Sequence, residues 1–341
     1  EKMSDDYSRD FKISQESTIT AIVFGLFSCI FSVFSFLILL RMKVTDCTTG
    51  IRMSSIFMLL NLVASDGLRS FFNLTGMIRY LTIIDFNQTH RNCTKSKYIY
   101  CQIQSFFSIW FNMIVSICIL FIGIFAIYQI TGKTGYMRNI KKKTLVITSI
   151  VAWSVPFLLT LIPAIWHKLG QDLTKTTNGW CWISSCEQPK IRLIFMLLYS
   201  KILEILIFLI NLTLFIFLKY INYKHIKMER QALRIGISIS TQSDVDSDKL
   251  DIESSTNDSK LLFLINITIC WCRVWGLIRT FIEVGKMFSE SSWTRNDFIN
   301  FIENAILFIQ AIFENLQGVF VFSVLILCSN FAKSYIRRLF C

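Results

Sequence analysis

Residues 18–40 read TITAIVFGLFSCIFSVFSFLILL and are followed by Arg41. The stretch carries no charged side chain, and about 20 apolar residues are enough for one helix to cross the hydrocarbon core of a bilayer. A secretory signal peptide has a shorter apolar region and a small-residue cleavage site, which this stretch lacks. The stretch is therefore predicted to be a retained transmembrane helix.

The composition of the whole chain agrees with a membrane protein. Of its 341 residues, 53% are hydrophobic and 17% are charged, and the mean hydropathy is +0.51. These values exclude disordered, collagen-like and small disulfide-scaffold classes. The net charge of +12 raises the question of nucleic acid, but membrane proteins concentrate basic residues beside the cytoplasmic leaflet, so no nucleic-acid partner is predicted.

Long apolar runs recur along the chain without strict alternation, which favours helices over a transmembrane barrel. The predicted fold class is an all-α membrane protein, a seven-transmembrane helix bundle (residues 18–328) with a short amphipathic C-terminal helix in residues 329–341. The seven predicted spans are 18–40, 51–78, 98–130, 144–166, 191–221, 261–284 and 298–328.

Basic residues near the helix ends predict the orientation. Lys141, Lys142 and Lys143 precede the fourth span, while Lys227 and Arg230 follow the fifth. Cytoplasmic loops carry such an excess of Lys and Arg, so residues 1–17 are predicted to be extracellular and the C-terminus cytoplasmic. Asn87 and Asn92 begin Asn-x-Thr sequons in the loop before the third span and are predicted glycosylation sites.

Cysteine placement follows the same division. Cys93, Cys101, Cys181 and Cys186 fall on the predicted external side, where disulfides form, and the other seven cysteines are expected to stay reduced. Cys101 with Cys181 is the pair that would hold the loop after the fourth span over the bundle. A second bridge, Cys93 to Cys186, is left open.

A family resemblance rests on several short motifs, which are Cys101-Gln102-Ile103-Gln104, Trp153-Ser154-Val155-Pro156, Trp180-Cys181-Trp182-Ile183, Cys270-Trp271 with Arg279, and Leu316-Gln317-Gly318. The chain resembles the cyclic-AMP receptors and cAMP-receptor-like proteins of social amoebae, which are G-protein-coupled receptors distantly similar to secretin receptors. The resemblance implies a plasma-membrane receptor that binds an extracellular small molecule, cAMP or a relative, and activates a heterotrimeric G protein.

The sequence lacks features of the rhodopsin-like and secretin-type receptor classes. The third span ends Ala126-Ile127-Tyr128, without the acidic-Arg-Tyr triplet of rhodopsin-like receptors, and the seventh has no Asn-Pro-x-x-Tyr. Secretin-type receptors share the Trp-Cys-Trp loop but place a folded domain before the first helix, where only 17 residues are expected here. Val319 to Val321 differ from the cyclic-AMP receptor pattern, so the family is better indicated than its ligand.

Ionisable residues inside the spans are candidate functional residues because burying them in a membrane is costly. Asp66 with Arg69 and Lys201 with Glu204 are spaced i,i+3, and Arg279 with Glu283 is spaced i,i+4. Each is interpreted either as a local ion pair or as part of a functional site. Arg273, Glu303 and Glu314 have no partner three or four positions away.

Some of these ionisable residues are predicted to bind a ligand and others to form a conformational switch. An anionic ligand would need cations in the external half of the bundle, because guanidinium groups bind phosphate oxygens in pairs. The predicted switch consists of Asp66, Arg69 and Trp271, each of which could instead be structural. The predicted ligand-binding residues are Arg279, Lys201, Gln104, Glu303 and Glu283.

The predicted cytoplasmic side offers partner-binding segments. The G-protein-facing residues are predicted to be Lys141, Lys142, Lys143, Lys227 and Arg230, and the same basic residues suit anionic membrane lipids. Residues 235–259 are rich in Ser and Asp and are predicted to be a disordered loop, open to a receptor kinase or an arrestin-like protein. Cys341 is a candidate palmitoylation site.

Other functions fit the sequence less well. The seventh span has no Lys for a retinal Schiff base, and the three histidines lie in loops or at a helix end, so no enzyme, metal site or cofactor is predicted. A channel or transporter remains the alternative, although no internal repeat of the kind found in many carriers is present.

Overall fold

The structure is a computed structural model of the chain. It describes residues 2–44, 53–84, 99–131, 142–170, 181–184, 189–234, 245–288, 297–329 and 332. Nearly all of these are helical, and two short strands lie in the loop after the fourth helix. The elements are α1 (Lys2–Val44), α2 (Met53–Ile84), α3 (Ile99–Thr131), α4 (Lys142–Ile165), β1 (Leu169–Gly170), β2 (Trp182–Ile183), α5 (Pro189–Met196), a π turn (Leu197–Lys201), α6 (Ile202–Arg234), α7 (Val245–Phe288), α8 (Asp297–Asn315) and α9 (Gln317–Cys328).

The predicted fold class is confirmed. Six helices in the described part of the chain are long and apolar enough to cross a bilayer, and α8 with α9 makes a seventh span if the bent pair is counted as one. The fifth span consists of α5, the π turn and α6 in succession. The protein is thus a multi-pass helical bundle.

Residues 245–259 differ from the prediction. They were expected to belong to a disordered loop, but they form the first turns of α7, which begins at Val245. Extending an existing helix is much easier than starting a new one. The acidic residues Asp246, Asp248 and Asp251 also fall near the N-terminus of α7, where the helix dipole favours negative charge. Residues 235–244 lie outside the described residues.

The seventh span is broken at Leu316, whose backbone leaves the helical region (φ −91°, ψ 2°). The axes of α8 and α9 differ by 49°. In a continuous helix the carbonyl of Glu314 would accept a hydrogen bond from the N–H of Gly318. Instead, Arg69 Nη2 of α2 donates to the Glu314 carbonyl at 3.1 Å, and the Gly318 N–H donates to Ser28 Oγ of α1 at 3.0 Å. Side chains inserted into the ladder therefore account for the bend.

The apolar core occupies one end of the bundle. It joins buried side chains of several helices, including Leu59 of α2, Ile122 of α3, Leu262 of α7 and Leu325 of α9. The opposite half, toward the start of α3, contains most of the buried charged residues. This division places the polar site away from the apolar core.

A disulfide holds the loop after α4 against the bundle. The predicted bridge between Cys101 and Cys181 is confirmed, with a Cα–Cα distance of 5.3 Å. Strands β1 and β2 pair antiparallel beside it, and the Cys181 N–H donates to Gln104 Oε1 at 2.9 Å. Leu169 and Ile183 are buried against α3, so the β1–β2 pair, called the hairpin below, packs over α3.

Several predictions fall outside the described residues. These are the second bridge of Cys93 with Cys186, the glycosylation sites Asn87 and Asn92, and Cys341. Of the predicted amphipathic segment 329–341, only Ser329 and Ala332 are described.

Candidate functional site

A polar cavity lies inside the bundle beneath the hairpin. Its volume is about 60 Å³, and since one water needs roughly 10–15 Å³ it has room for about four waters. Buried charged and amide side chains from five helices and the π turn border it. The lining residues are Arg69, Asn73, Ser108, Ile109, Asn112, Trp182, Met196, Lys201, Glu204, Arg273, Gly276, Arg279, Thr280, Gln310 and Glu314.

The π turn of the fifth span supplies one ion pair of the cavity. Lys201, its last residue, lies 2.8 Å (Nζ to Oε2) from Glu204 in the first turn of α6. Glu204 Oε1 also accepts a hydrogen bond from Asn112 Nδ2 of α3 at 2.9 Å, and the Lys201 ammonium lies 6.0 Å from the centre of the Trp182 ring. The pair thus connects α6 to α3 and to the hairpin.

Arg273 of α7 contacts residues of α3, α6 and α9. Its Nη1 donates to Ser116 Oγ of α3 at 2.7 Å and its Nε donates to Gln317 Oε1 of α9 at 3.2 Å. The Glu204 carboxylate is 3.9 Å from Nη1. Nη2 is buried and has no hydrogen-bond partner among the described residues.

Asp66 and Arg69 form the ion pair of α2, with 3.0 Å between Oδ1 and Nη2. Gln317 Nε2 donates to the same carboxylate oxygen at 2.8 Å. Gln317 therefore links Asp66 to Arg273, and a continuous polar network joins α2, α3, α7 and the broken seventh span.

A second group of polar residues lies between α7 and α8. Arg279 Nη1 donates to Gln310 Oε1 at 3.2 Å, and Gln310 Nε2 donates to Glu314 Oε2 at 3.1 Å. The other oxygen of Glu314 packs directly against Gly276, so that a Cβ at this position would collide with it. The absence of a side chain at Gly276 lets the carboxylate reach the cavity.

Charged side chains of both signs meet in this region. The cations are Arg69, Lys201, Arg273 and Arg279, and the carboxylates are Asp66, Glu204 and Glu314. Buried charges are tolerated when they are paired and hydrogen-bonded. Such a site is suited to binding a small charged molecule by ion pairs and hydrogen bonds.

The structure brings together some of the predicted ligand-binding residues. Arg279 and Lys201 both line the cavity. Gln104 does not, because its amide bonds the Phe72 carbonyl at 3.0 Å and the Cys181 N–H, so it holds the hairpin to α2 and α3. Glu303 is half-buried on α8 and lies outside the cavity lining, and the side chain of Glu283 on α7 is outside the described residues.

The structure brings together only two of the three predicted switch residues. Asp66 and Arg69 belong to the polar network, whereas Trp271 is 57% exposed on the outer face of α7. Its ring meets Trp275 edge to face, with 5.8 Å between centroids. The structure therefore does not place Trp271 beside the cavity.

Sequence reasoning left Arg273, Glu204, Gln310 and Glu314 out of the predicted ligand-binding set. The available signal was ionisable character inside a span, which marked Arg273 and Glu314 as charges without a neighbour in sequence. Their surroundings come from residues distant in the chain, such as Ser116 around Arg273. Spacing along one helix could not reveal these contacts.

Of the predicted G-protein-facing residues, Lys143 and Lys227 have described side chains and lie at the other end of the bundle from the disulfide. The side chains of Lys143 on α4 and Lys227 on α6 are exposed. Lys142 and Arg230 belong to α4 and α6 with side chains outside the described set, and Lys141 is not described. Within the described ranges, His, Cys, Asp and Glu side chains form no group of three that could hold a metal.

Comparison with solved structures shows the architecture. The structure matches the crystal structure of squid rhodopsin with a TM-score of 0.65, covering 96% of this chain and 85% of that chain at 13% identity. The chain thus has the helical fold of rhodopsin. At this identity the likeness concerns the fold alone.

Comparison with curated proteins finds receptors among the relatives of the chain. The chain is 30% identical over 130 residues to G-protein coupled receptor 157 of Mus musculus and 31% identical to that of Homo sapiens. The match spans 38% of this chain and only 36% of each relative. These relatives are receptors, which agrees with the expectation that the chain is not an enzyme. No family model matches the chain.

Proposed function

We propose that the chain is a plasma-membrane G-protein-coupled receptor that binds an extracellular small molecule in the polar cavity and activates a heterotrimeric G protein. Its N-terminus and the hairpin would face the outside. The observation that carries the proposal is a charged cavity, inside a bundle with the rhodopsin fold, beneath a loop fixed by a disulfide.

The disulfide supports the proposed orientation. Structural disulfides form in oxidising compartments, so the end of the bundle that contains Cys101 and Cys181 is expected to face outward. The opposite end then faces the cytosol, with Lys143 and Lys227 exposed there for a G protein or for anionic lipids. A receptor kinase and an arrestin-like protein would act on the same side.

Transmission through the bundle is proposed to use the polar network. Arg273 borders the cavity and bonds Gln317, which bonds Asp66 at the break of the seventh span. A ligand that binds one arrangement of this network better than another would shift the populations of the two arrangements by its difference in affinity. Asp66 and Arg69 keep their proposed role as switch residues on this basis.

The apolar core weighs against the alternative of a channel or transporter. Below the cavity, Leu59, Ile122, Leu262 and Leu325 fill the space between the helices. An ion path through this end would need polar groups or water in place of these side chains. A receptor needs no such path.

The narrower proposal is that the ligand is cAMP or a related molecule. Its support is the resemblance to the cyclic-AMP receptors and the presence of Arg279 and Lys201 in the cavity, because a guanidinium can hold two phosphate oxygens. Arg279 is fully buried and shares Gln310 with Glu314, so a phosphate there would have to accommodate that carboxylate.

The proposal is tested by reconstituting the purified chain in nanodiscs with a panel of heterotrimeric G proteins. Nucleotide exchange on at least one Gα subunit, above that with empty nanodiscs, is expected. In parallel, labelled cAMP binding is measured for the wild type, Arg279→Ala and Arg279→Lys. Ion flux in vesicles without exchange on any Gα would overturn the receptor, while exchange without cAMP binding would overturn only the narrower ligand.

A further inference from the structure

Two groups of opposite charge in the cavity have incomplete partners. The first is the guanidinium of Arg273. It is buried on α7, and its Nε and Nη1 are engaged by Gln317 and Ser116, while Nη2 has no acceptor among the described residues. Buried donors of this kind are rare, and leaving one unsatisfied costs about 1–3 kcal/mol or more for a charged group.

The second group is the carboxylate of Glu314 on α8. It is buried, and its Oε2 accepts one hydrogen bond from the neutral amide of Gln310. In the part of the chain that the structure describes, no Lys or Arg nitrogen lies within ion-pair distance of it. The other buried carboxylates, Asp66 and Glu204, each have a cationic partner at 3.0 Å or less. Among the buried carboxylates that the structure describes, Glu314 thus differs in having no ion-pair partner.

The two groups border the same cavity and lie close together. The Glu314 carboxylate touches Gly276, which is three residues from Arg273 on the same face of α7. Residues three apart on a helix are separated by about one turn, roughly 5 Å. A cation site and an anion site therefore lie on neighbouring turns, beside a space of about 60 Å³.

We infer that the ligand of this receptor is a small zwitterion of the amino-acid class, whose carboxylate binds Nη2 of Arg273 and whose ammonium binds Glu314. The inference rests on the proposed receptor function and offers an alternative to cAMP as its ligand, because cAMP carries an anionic phosphate and no ammonium. The ammonium supplies the ion pair that Glu314 lacks, and the carboxylate supplies the acceptor that Arg273 lacks. Lys201 is already engaged by Glu204 and by the Trp182 ring.

Ligands with one charge satisfy only half of this arrangement. A pure anion would bind Arg273 but leave Glu314 buried without a cation and repelled by the new charge. A pure amine would do the reverse. A zwitterion is thus expected to bind more tightly than either kind of single-charge ligand. It makes both ion pairs, whereas a single charge makes one and is repelled by the other group.

The test uses a series of zwitterions in which the distance between the charges increases: glycine, β-alanine, 4-aminobutanoate and 5-aminopentanoate, followed by the common amino acids. Thermal stabilisation and calorimetric binding are measured with the purified full chain in nanodiscs. Butanoate and butylamine serve as probes that carry one charge each. At least one zwitterion is expected to bind saturably, and more tightly than either single-charge probe.

Two variants locate the binding. Glu314→Gln keeps the shape and an acceptor for Gln310, and it is expected to weaken the zwitterion about 30-fold or more, because it leaves the buried ammonium without its partner. Gly276→Ala pushes the carboxylate out of place while leaving its charge, and it should weaken the same probe. Neither variant should weaken butanoate binding, and Glu314→Gln should strengthen it, because the repelling carboxylate is gone.

Either of two binding results would overturn the inference. It is overturned if no zwitterion in the series stabilises the wild type, or if both variants bind every zwitterion as the wild type does. Basal nucleotide exchange on Gα, measured on the same preparations, decides the proposed function separately. Exchange without zwitterion binding would remove the inference and leave the receptor standing.

Discussion

Two spans lose regular helical geometry where they border the cavity, and they do so in different ways. In the fifth span the π turn Leu197–Lys201 keeps its backbone hydrogen bonds within the span. The Ile202 N–H donates to the Leu197 carbonyl, and both flanking residues stay helical. In the seventh span the break at Leu316 bends the axis by 49°. Its freed groups are satisfied by Arg69 and Ser28 of other helices.

The difference indicates which irregularity depends on tertiary structure. A π turn adds one residue and redirects side chains without outside help, and such turns are frequent at functional sites. The break needs two donors or acceptors from α1 and α2 to remain buried. Substitutions in α1 and α2 should therefore disturb the seventh span, while the fifth span should depend mainly on its own residues and on α3.

The largest effect is expected from Arg69→Met. It removes the donor to the Glu314 carbonyl and leaves Asp66 buried without its cation, which should cost about 3–5 kcal/mol. The measurement is the melting temperature of the purified protein in detergent. Lys143→Met removes an exposed cation of α4 and is the matched control, with a change within about 0.5 kcal/mol. Equal melting of the two variants would contradict the role of Arg69.

A smaller loss is expected from Lys201→Met in the π turn. Glu204 loses a charged hydrogen bond, worth about 1.5–3 kcal/mol, but it keeps Asn112 at 2.9 Å and Arg273 at 3.9 Å. The melting temperature should fall between those of the wild type and Arg69→Met. A fall as large as that of Arg69→Met would mean that Asn112 and Arg273 do not compensate Glu204 for the loss of Lys201.

Gly318→Ala tests the packing of the break against α1. The new Cβ would lie 2.6 Å from the Ser28 carbonyl oxygen, which cannot move freely, and overpacking of this kind costs about 1–3 kcal/mol. Gly25→Ala on α1 is the control, because its Cβ would meet nothing closer than 3.6 Å. Thermal melting of both variants is compared, and equal losses would show that the close approach of α9 to α1 is unimportant.

The smallest effect on stability is expected from Gly276→Ala. The Cβ would displace the end of the flexible Glu314 side chain, and the cost is offset by the gain of about 1 kcal/mol for alanine over glycine in a helix. Melting should therefore change little. A large loss would mean that the Glu314 carboxylate is rigidly held and supports the α7–α8 contact.

Local patterns in the sequence predicted much of the fold. Apolar run length identified the spans, and i,i+3 spacing identified the pairs of Asp66 with Arg69 and Lys201 with Glu204. The positions of Cys101 and Cys181 relative to the helices predicted their bridge. Each of these depends on residues near one another in the chain or at the end of a recognised helix.

The site was predicted only in part, because its other contacts join distant segments. Arg273 meets residues 157 positions before it and 44 positions after it, and no helical period connects them. Gln104 looked like a ligand-binding residue from its place near the start of α3, but its amide is used by the hairpin. The Ser-rich and Asp-rich composition of residues 245–259 suggested disorder, whereas the continuity of α7 decided their helical form.

The sequence by itself determined that the chain is a helical membrane bundle and that charge is buried within it, because hydropathy and short spacings act locally. Only the tertiary structure decided which charges face one another, since a buried guanidinium or carboxylate takes its partners from whichever helices pack around it. It also decided the bend of the seventh span, where Arg69 and Ser28 replace a backbone hydrogen bond that the sequence of the span itself does not forbid.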